Sequence, residues 1–406
     1  MRRRSPGKLA TCVIAAGVLL LGCSRSEVTP PGLPSKAAES ALRIPLATSV
    51  PGSPLPLTLA EGSWALVPMG KFAEPDNTFW QLFVMPAPGS PWTLATPEGV
   101  ADNGGLTIAT DDTGAVVGVD VSQHLGFSPL ASTVSDGKSW SPAVLPRALT
   151  PVPQALAIEP GGHILALLGK TGWTIDSSDN GGGSTSYWSS GPQIARASLS
   201  FCRVIAVTAV AYGSNGLPLA GATCSASNYV GVFERYPRSW QVIGGPVPAA
   251  AFAIVGSKDG SATEVQRVWT SGTSVMGLAE AVSKGGTSCL FGFRRSGDGT
   301  WTTSAVLGVP PSEHLVATGY GRGGSVFVVL TDGHSLIAEL LSGSRGTWSK
   351  LATPPVGTQT LVLGPGGLTE AFVVNESTLI IDGLNTKGTW AQRQVIHVPI
   401  ELGSSS

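Results

Sequence analysis

The stretch that decides the fold runs from His314 to Lys350: HLVATGYG (314–321), SVFVVLTD (325–332), HSLIAELLS (334–342) and GTWSK (346–350). Three apolar, β-branched-rich runs of strand length are separated by Gly, Asp and Ser, and a fourth opens at a Gly-Thr-Trp turn. The next segment repeats the scheme with QTLVLGPGG (359–367), LTEAFVVNE (368–376), STLIIDGLN (377–385) and a run containing Trp390. Four short strands per unit, with no helix-length periodic segment, predict the blade of a β-propeller.

The tryptophan recurs along the mature chain. Trp92, Trp140, Trp188, Trp240, Trp301, Trp348 and Trp390 are separated by 48, 48, 52, 61, 47 and 42 residues. A period of roughly 40–50 residues in a Gly-rich chain is the signature of propeller blades. Residues 57–400 shared among seven tryptophans give about 49 per unit. The expected fold is therefore all-β, a single β-propeller of seven four-stranded blades, with six or eight as alternatives. It counts as one domain, because no blade buries both of its faces alone. The long interval before Trp301 predicts an insertion within residues 257–273, and Trp64 and Trp80 blur the first unit. Each repeat tryptophan, just after the hairpin joining strands three and four, is expected to fold over its own blade. Trp64, Trp80, Trp173 and Trp269 lie outside the register and are the candidates for a ligand platform.

The first residues have the anatomy of an export signal. Arg2, Arg3, Arg4 and Lys8 precede an apolar run from Leu9 to Leu21, too short to span a bilayer. The run ends in Leu20-Leu21-Gly22-Cys23, which resembles the lipobox of bacterial lipoproteins. The resemblance implies a signal peptide over 1–22, cleavage before Cys23, and acyl chains, palmitate among them, on that cysteine. Two or more chains give stable anchoring in a bilayer. Residues 23–56 carry seven prolines among small and polar residues and read as a tether. Extended at about 3.1 Å per residue, it would reach roughly 100 Å from the membrane. Residues 401–406 are a C-terminal tail. The address expected is the bacterial cell envelope, at the outer membrane or cell surface.

Composition narrows the partners. Charged residues make up 13%, Gly 53 residues, and the formal net charge is −1. With no basic excess to neutralise phosphates, nucleic-acid binding has no electrostatic support. The hydrophobic fraction of 42% argues for a folded body, expected to be a monomer. Of the five cysteines, Cys202 and Cys224 flank a hairpin turned at Gly213-Ser214-Asn215-Gly216. Regular pairing about that turn matches Cys202 with residue 227, so a Cys202–Cys224 disulfide requires a bulge or another turn. No His/Cys grouping has zinc-ligand spacing, and no cofactor motif is present.

Thr133-Val134-Ser135-Asp136-Gly137-Lys138-Ser139-Trp140 resembles the Asp-box of sialidase-type propellers, with Ser135 at the aspartate position. Arg43-Ile44-Pro45 likewise resembles the Arg-Ile-Pro of sialidases, whose arginine binds a substrate carboxylate. Glu234-Arg235-Tyr236 and Tyr320-Gly321-Arg322 supply residue types that such an enzyme needs, outside the family's context. No Ser-His-Asp or two-carboxylate arrangement can be assigned. The function expected is a non-catalytic binding or scaffold module for an envelope protein or glycan. The alternative is a sialidase-like hydrolase or lyase, with Arg43 as a ligand contact.

Overall fold

The structure is a computed structural model. It describes residues 57–398 except 62, 71–77, 98–106, 111–114, 119–129, 143–154, 160–162, 169–173, 179–185, 190–193, 195–200, 226, 237–238, 257–260, 321–324, 333–334, 343–345 and 364–368. Cys23, Arg43, the expected signal and tether, and residues 401–406 lie outside the described residues. Among the described residues no helix is long and apolar enough to cross a membrane.

Seven antiparallel meanders follow one another within the described residues. The first comprises β1 (Leu57–Glu61), β2 (Trp64–Gly70), β3 (Thr78–Val84) and β4 (Thr93–Leu94). The second comprises β5 (Thr107–Thr110), β6 (Ala115–Gly118), β7 (Leu130–Thr133) and β8 (Ser141–Pro142). The third comprises β9 (Ala155–Ile158), β10 (Ile164–Leu168), β11 (Thr174–Ser178) and β12 (Ser186–Ser189). The fourth comprises β13 (Arg203–Tyr212), β14 (Pro218–Ser225), β15 (Gly231–Tyr236) and β16 (Ser239–Val242). In the fifth, β17 (Ser261–Ser271), β18 (Ser274–Ser283) and β19 (Ser288–Arg295) precede a fourth strand broken into β20 (Trp301–Thr303) and β21 (Leu307–Val309). The sixth comprises β22 (His314–Tyr320), β23 (Val326–Thr331), β24 (Leu336–Leu341) and β25 (Trp348–Lys350). The seventh comprises β26 (Thr358–Leu363), β27 (Thr369–Asn375), β28 (Thr378–Leu384) and β29 (Trp390–His397).

The core lies between these meanders, which makes the fold a β-propeller. One apolar cluster joins the third and fourth meanders, another the fourth and fifth, and another the fifth and sixth. The largest joins the sixth, seventh and first and reaches Ile108 of the second. First strands of neighbouring meanders lie side by side, as β1 does with β5 and with β26. Two sheets fuse across meander boundaries. β1 pairs in parallel with β22, and the end of β14 (Thr223–Ser225) pairs with the start of β17 (Ala262–Glu264).

The expected insertion is corrected by the structure. Residues 261–271 are β17, the first strand of the fifth meander, rather than a loop. The extra length before Trp301 falls partly inside the expected span, in the 11-residue β17, and partly outside it, in helix α1 (Ala249–Val255) and the 10-residue β18. α1 buries Ala251 and Val255 against the fourth–fifth cluster.

Every repeat tryptophan stands at the fourth strand of its meander. Their packing is less local than the sequence suggests. The indole N–H of Trp140 donates to the Ala95 carbonyl (2.9 Å), that of Trp301 to Pro246 (3.2 Å), and that of Trp348 to Ala305 (2.9 Å). Ala95 and Pro246 lie just past the fourth strand of the preceding meander, and Ala305 lies in the break between β20 and β21. Gly245 is glycine because a Cβ there would run into the Trp301 ring. Trp301 also stacks on Phe293 of its own meander, at 5.1 Å. The indoles of Trp240 and Trp390 have no hydrogen-bond partner among the described residues.

Trp92 plays the same part between the two ends of the chain. Its indole donates to Glu370 Oε2 (2.9 Å), and its ring meets Phe372 edge-on at 5.1 Å. Its backbone N–H donates to Gln394 Oε1 and its carbonyl accepts from Gln394 Nε2, both at 2.9 Å. Thr360 adds a bond to the Leu66 carbonyl (2.8 Å). Trp92→Phe removes the donor that the buried Glu370 carboxyl accepts, and should cost about 2–3 kcal/mol. Urea unfolding followed by fluorescence and far-UV circular dichroism checks this; unchanged stability would deny the contact any weight.

Candidate functional site

The innermost strands of an up-and-down meander begin at one rim of the propeller, and the turns between second and third strands lie at that same rim. At the fourth meander this rim carries exposed apolar side chains: Phe201 (44% exposed), Ile205 (49%) and Tyr229 (36%). Phe201 and Tyr229 meet edge-to-face at 5.6 Å. Ser227 holds the two segments together, donating to the Phe201 carbonyl (2.9 Å) and accepting from the Tyr229 N–H (2.9 Å).

Backbone irregularities create this surface. Tyr212 pairs with Pro218 at the hairpin end, but β13 then carries two bulges, between Val204 and Ala206 and between Val207 and Ala209. The bulges bring Val204 opposite Cys224, and Cys202 is disulfide-bonded to Cys224 with Cα atoms 5.2 Å apart. Ile205, the extra residue of the first bulge, is turned toward solvent, as bulges re-aim side chains. Fixed, adjacent aromatic faces at a rim suit recognition, since ordering them costs little entropy and they offer large amphipathic area.

The neighbouring fifth meander contains two carboxyl groups set directly opposite each other, Glu264 on β17 and Glu280 on β18. Burial pushes Glu264 up to about 7, opposed by a hydrogen bond with Thr223. Burial likewise pushes Glu280 up to about 7; the Glu264 charge adds to this, and bonds with Ser288 and Gln266 oppose it. Among the described residues no three His, Cys, Asp or Glu side chains converge on a point that could hold a metal.

The tryptophans proposed as a platform are corrected in part. Trp64 and Trp269 are each only 5% exposed, so neither offers a ring face to a ligand. Trp64 packs edge-on to Trp140 at 6.1 Å, and Trp269 stacks on Tyr320 at 4.9 Å. Both lie off the register because they fill contacts between meanders. Trp80 pairs with Pro68 in the β2–β3 register, and its side chain lies outside the described residues, as do Trp173 and Arg43. The Tyr236 hydroxyl donates to Glu234 Oε2 (3.0 Å), and Asn215 donates to the other Glu234 oxygen (3.0 Å). The bond to Glu234 pushes the Tyr236 phenol up. This pair sits on a third strand, whereas first strands line the centre.

The chain matches no protein-family model and no curated protein sequence. Among solved structures it resembles the periplasmic gluconolactonase of Pseudomonas aeruginosa, at 13% identity and a TM-score of 0.47, covering 83% of this chain and 96% of that one. A protein from Lactobacillus plantarum is similar at 11% identity and TM-score 0.47, over 83% and 97% of the two chains. YCF48 from Cyanidioschyzon merolae gives 11% identity and TM-score 0.39, over 79% and 96%. Such likeness carries no activity across.

Phe201, Ile205 and Tyr229 are missed by sequence reading, because Ile205 is re-aimed by a bulge and the other two meet only through the turn between β14 and β15. Glu264 and Glu280 left a signal: each interrupts an apolar strand run, SATEVQRVW and SVMGLAEAVS. The disulfide closes a loop with a separation of 22 residues, which corresponds to about 3 kcal/mol of stabilisation. Cys202→Ser with Cys224→Ser should lose that amount in denaturant unfolding, and dithiothreitol should reproduce the loss in the wild type but not in the double variant.

Proposed function

We propose that this chain is an exported lipoprotein, anchored through acylated Cys23, whose meanders close as seven blades and act as a non-catalytic binding module. The observation that carries the binding reading is the Phe201–Tyr229–Ile205 rim, held by the disulfide and by Ser227. The partner is an envelope protein or glycan offering a flat apolar or C–H-rich face, which aromatic rings recognise. A disulfide in a chain with few cysteines accords with export to an oxidising compartment. The long Pro-rich tether accords with presentation away from the bilayer.

A sialidase-like hydrolase or lyase is the second reading, favoured by the Tyr236–Glu234 hydrogen bond. Turnover of fluorogenic sialosides that disappears in Tyr236→Phe would replace the non-catalytic reading.

The anchor is tested by Cys23→Ala followed by cell fractionation. The variant is expected in the soluble fraction and the wild type in the membrane fraction; a variant still held by the membrane contradicts the anchor. The rim is tested by a photo-crosslinking residue at 201 in intact cells. Discrete adducts are expected there and not at exposed Lys387, and adding Tyr229→Ala should reduce them at least fivefold without shifting the melting temperature. Equal labelling from both positions would remove the rim from the account.

A further inference from the structure

Buried Gln266 and Glu280 and half-buried Glu264 form a polar group where the fifth and sixth meanders meet, and the binding reading makes no use of them. Glu264 and Glu280 are cross-strand partners, so their side chains share one face with Cβ atoms about 5 Å apart. A bulge between Val265 and Arg267 makes Gln266 the extra residue. It turns to the same face, where its Nε2 donates to Glu280 Oε2 at 2.9 Å. Thr223 bonds Glu264 and Ser288 bonds Glu280.

The opposite wall is β22. Tyr320 stacks on Trp269, so Thr318, two residues earlier on the same strand, faces the fifth meander too. Its register partner Val328 belongs to the apolar cluster that joins these meanders, which places Thr318 on the same side.

Three polar atoms on this contact have no partner, Gln266 Oε1, the Thr318 hydroxyl and the Trp269 indole N–H, and only the first two are oxygens that a cation takes. Gln266 is 4% exposed and its Oε1 has no donor; Thr318 is 0% exposed and its hydroxyl has no partner. Burying such groups unpaired costs roughly 1–3 kcal/mol each, so their presence points to something they bind. Arg267, next along the face, turns its guanidinium over the Tyr320 ring, 5.7 Å from its centroid. The donors that remain are two carboxylates, one amide oxygen and hydroxyls. Cys289 pairs with Ala281 and therefore points to the other face.

An all-oxygen set selects hard cations, and two carboxylates select a divalent one. Ligands from several strands with no imposed octahedron suit calcium, whereas magnesium demands near-ideal geometry and keeps its waters. We propose that the contact between the fifth and sixth meanders is a calcium site, ligated by Glu264, Glu280 and the Gln266 side-chain oxygen, with the Thr318 hydroxyl completing it from the opposite wall.

The test uses the full-length protein, stripped with chelator and titrated with calcium chloride at pH 8. The melting temperature should rise by about 3–5 °C, with half-saturation between about 10⁻⁴ and 10⁻³ M, and equal magnesium should give less than a third of that rise. Glu264→Gln and Glu280→Gln should each weaken calcium at least tenfold. No rise in the wild type, or an undiminished rise in both variants, overturns the site. Should those variants fail to fold, terbium decides. Trp269, on the same strand as two of the ligands, should sensitise its emission, calcium should displace it, and Trp269→Phe should abolish the emission while keeping the calcium shift. Absence of Trp269-dependent emission overturns the proposal.

Discussion

A tryptophan at the head of a fourth strand, reaching back to a carbonyl at the fourth strand of the preceding meander, is the contact that fixes how neighbouring meanders dock at three boundaries. A four-stranded sheet has two faces, and in this chain the apolar clusters lie between sheets rather than within them. Each meander is thus stable only when docked, and docking needs a fixed relative height. At three boundaries the indole N–H of Trp140, Trp301 or Trp348 supplies this, because a directed hydrogen bond across the boundary sets the register that apolar packing alone leaves free. Between the first and last meanders Trp92 finds a carboxylate instead, with Gln394 bonding the same residue's backbone twice. Among the described residues, four hydrogen bonds that involve side chains join the first and last meanders.

The turns before these tryptophans vary in sequence and agree in geometry. Ser135 accepts from the Ser139 N–H and Asn385 from the Lys387 and Thr389 N–H groups, while Gly137, Gly299 and Gly388 take positive φ. Short polar side chains and glycine meet the same backbone requirement by different routes. That is why the tryptophan persists in every unit when the residues around it do not.

Strand content and the position of each tryptophan were legible because they rest on local signals: apolar runs, turn residues and a fixed interval. What a neighbour imposes was not. Trp64 and Trp269 fall outside the interval and so read as free rings, yet both are core residues pressed between meanders. The Cys202–Cys224 bond was readable only as a condition, since it needed a bulge, and β13 has two. In the rim, Ile205 depends on one of those bulges and Phe201 and Tyr229 on a contact between separate segments, so none had a local signature. The extra length before Trp301 was visible as a number, while its distribution between α1 and two long strands follows from docking against β19.

The aromatic rim sits on a β-propeller whose apolar clusters lie between neighbouring meanders. That arrangement requires the first and last meanders to be neighbours. The direct measurement is the distance between non-cysteine spin labels at exposed Thr93 and Gln392 by double electron–electron resonance. Trp92 and Gln394 are hydrogen-bonded and packed sheets lie about 10 Å apart, so one narrow distribution below about 20 Å is expected. A broad distribution centred beyond about 40 Å, as an open array of this many sheets would give, contradicts the closed propeller.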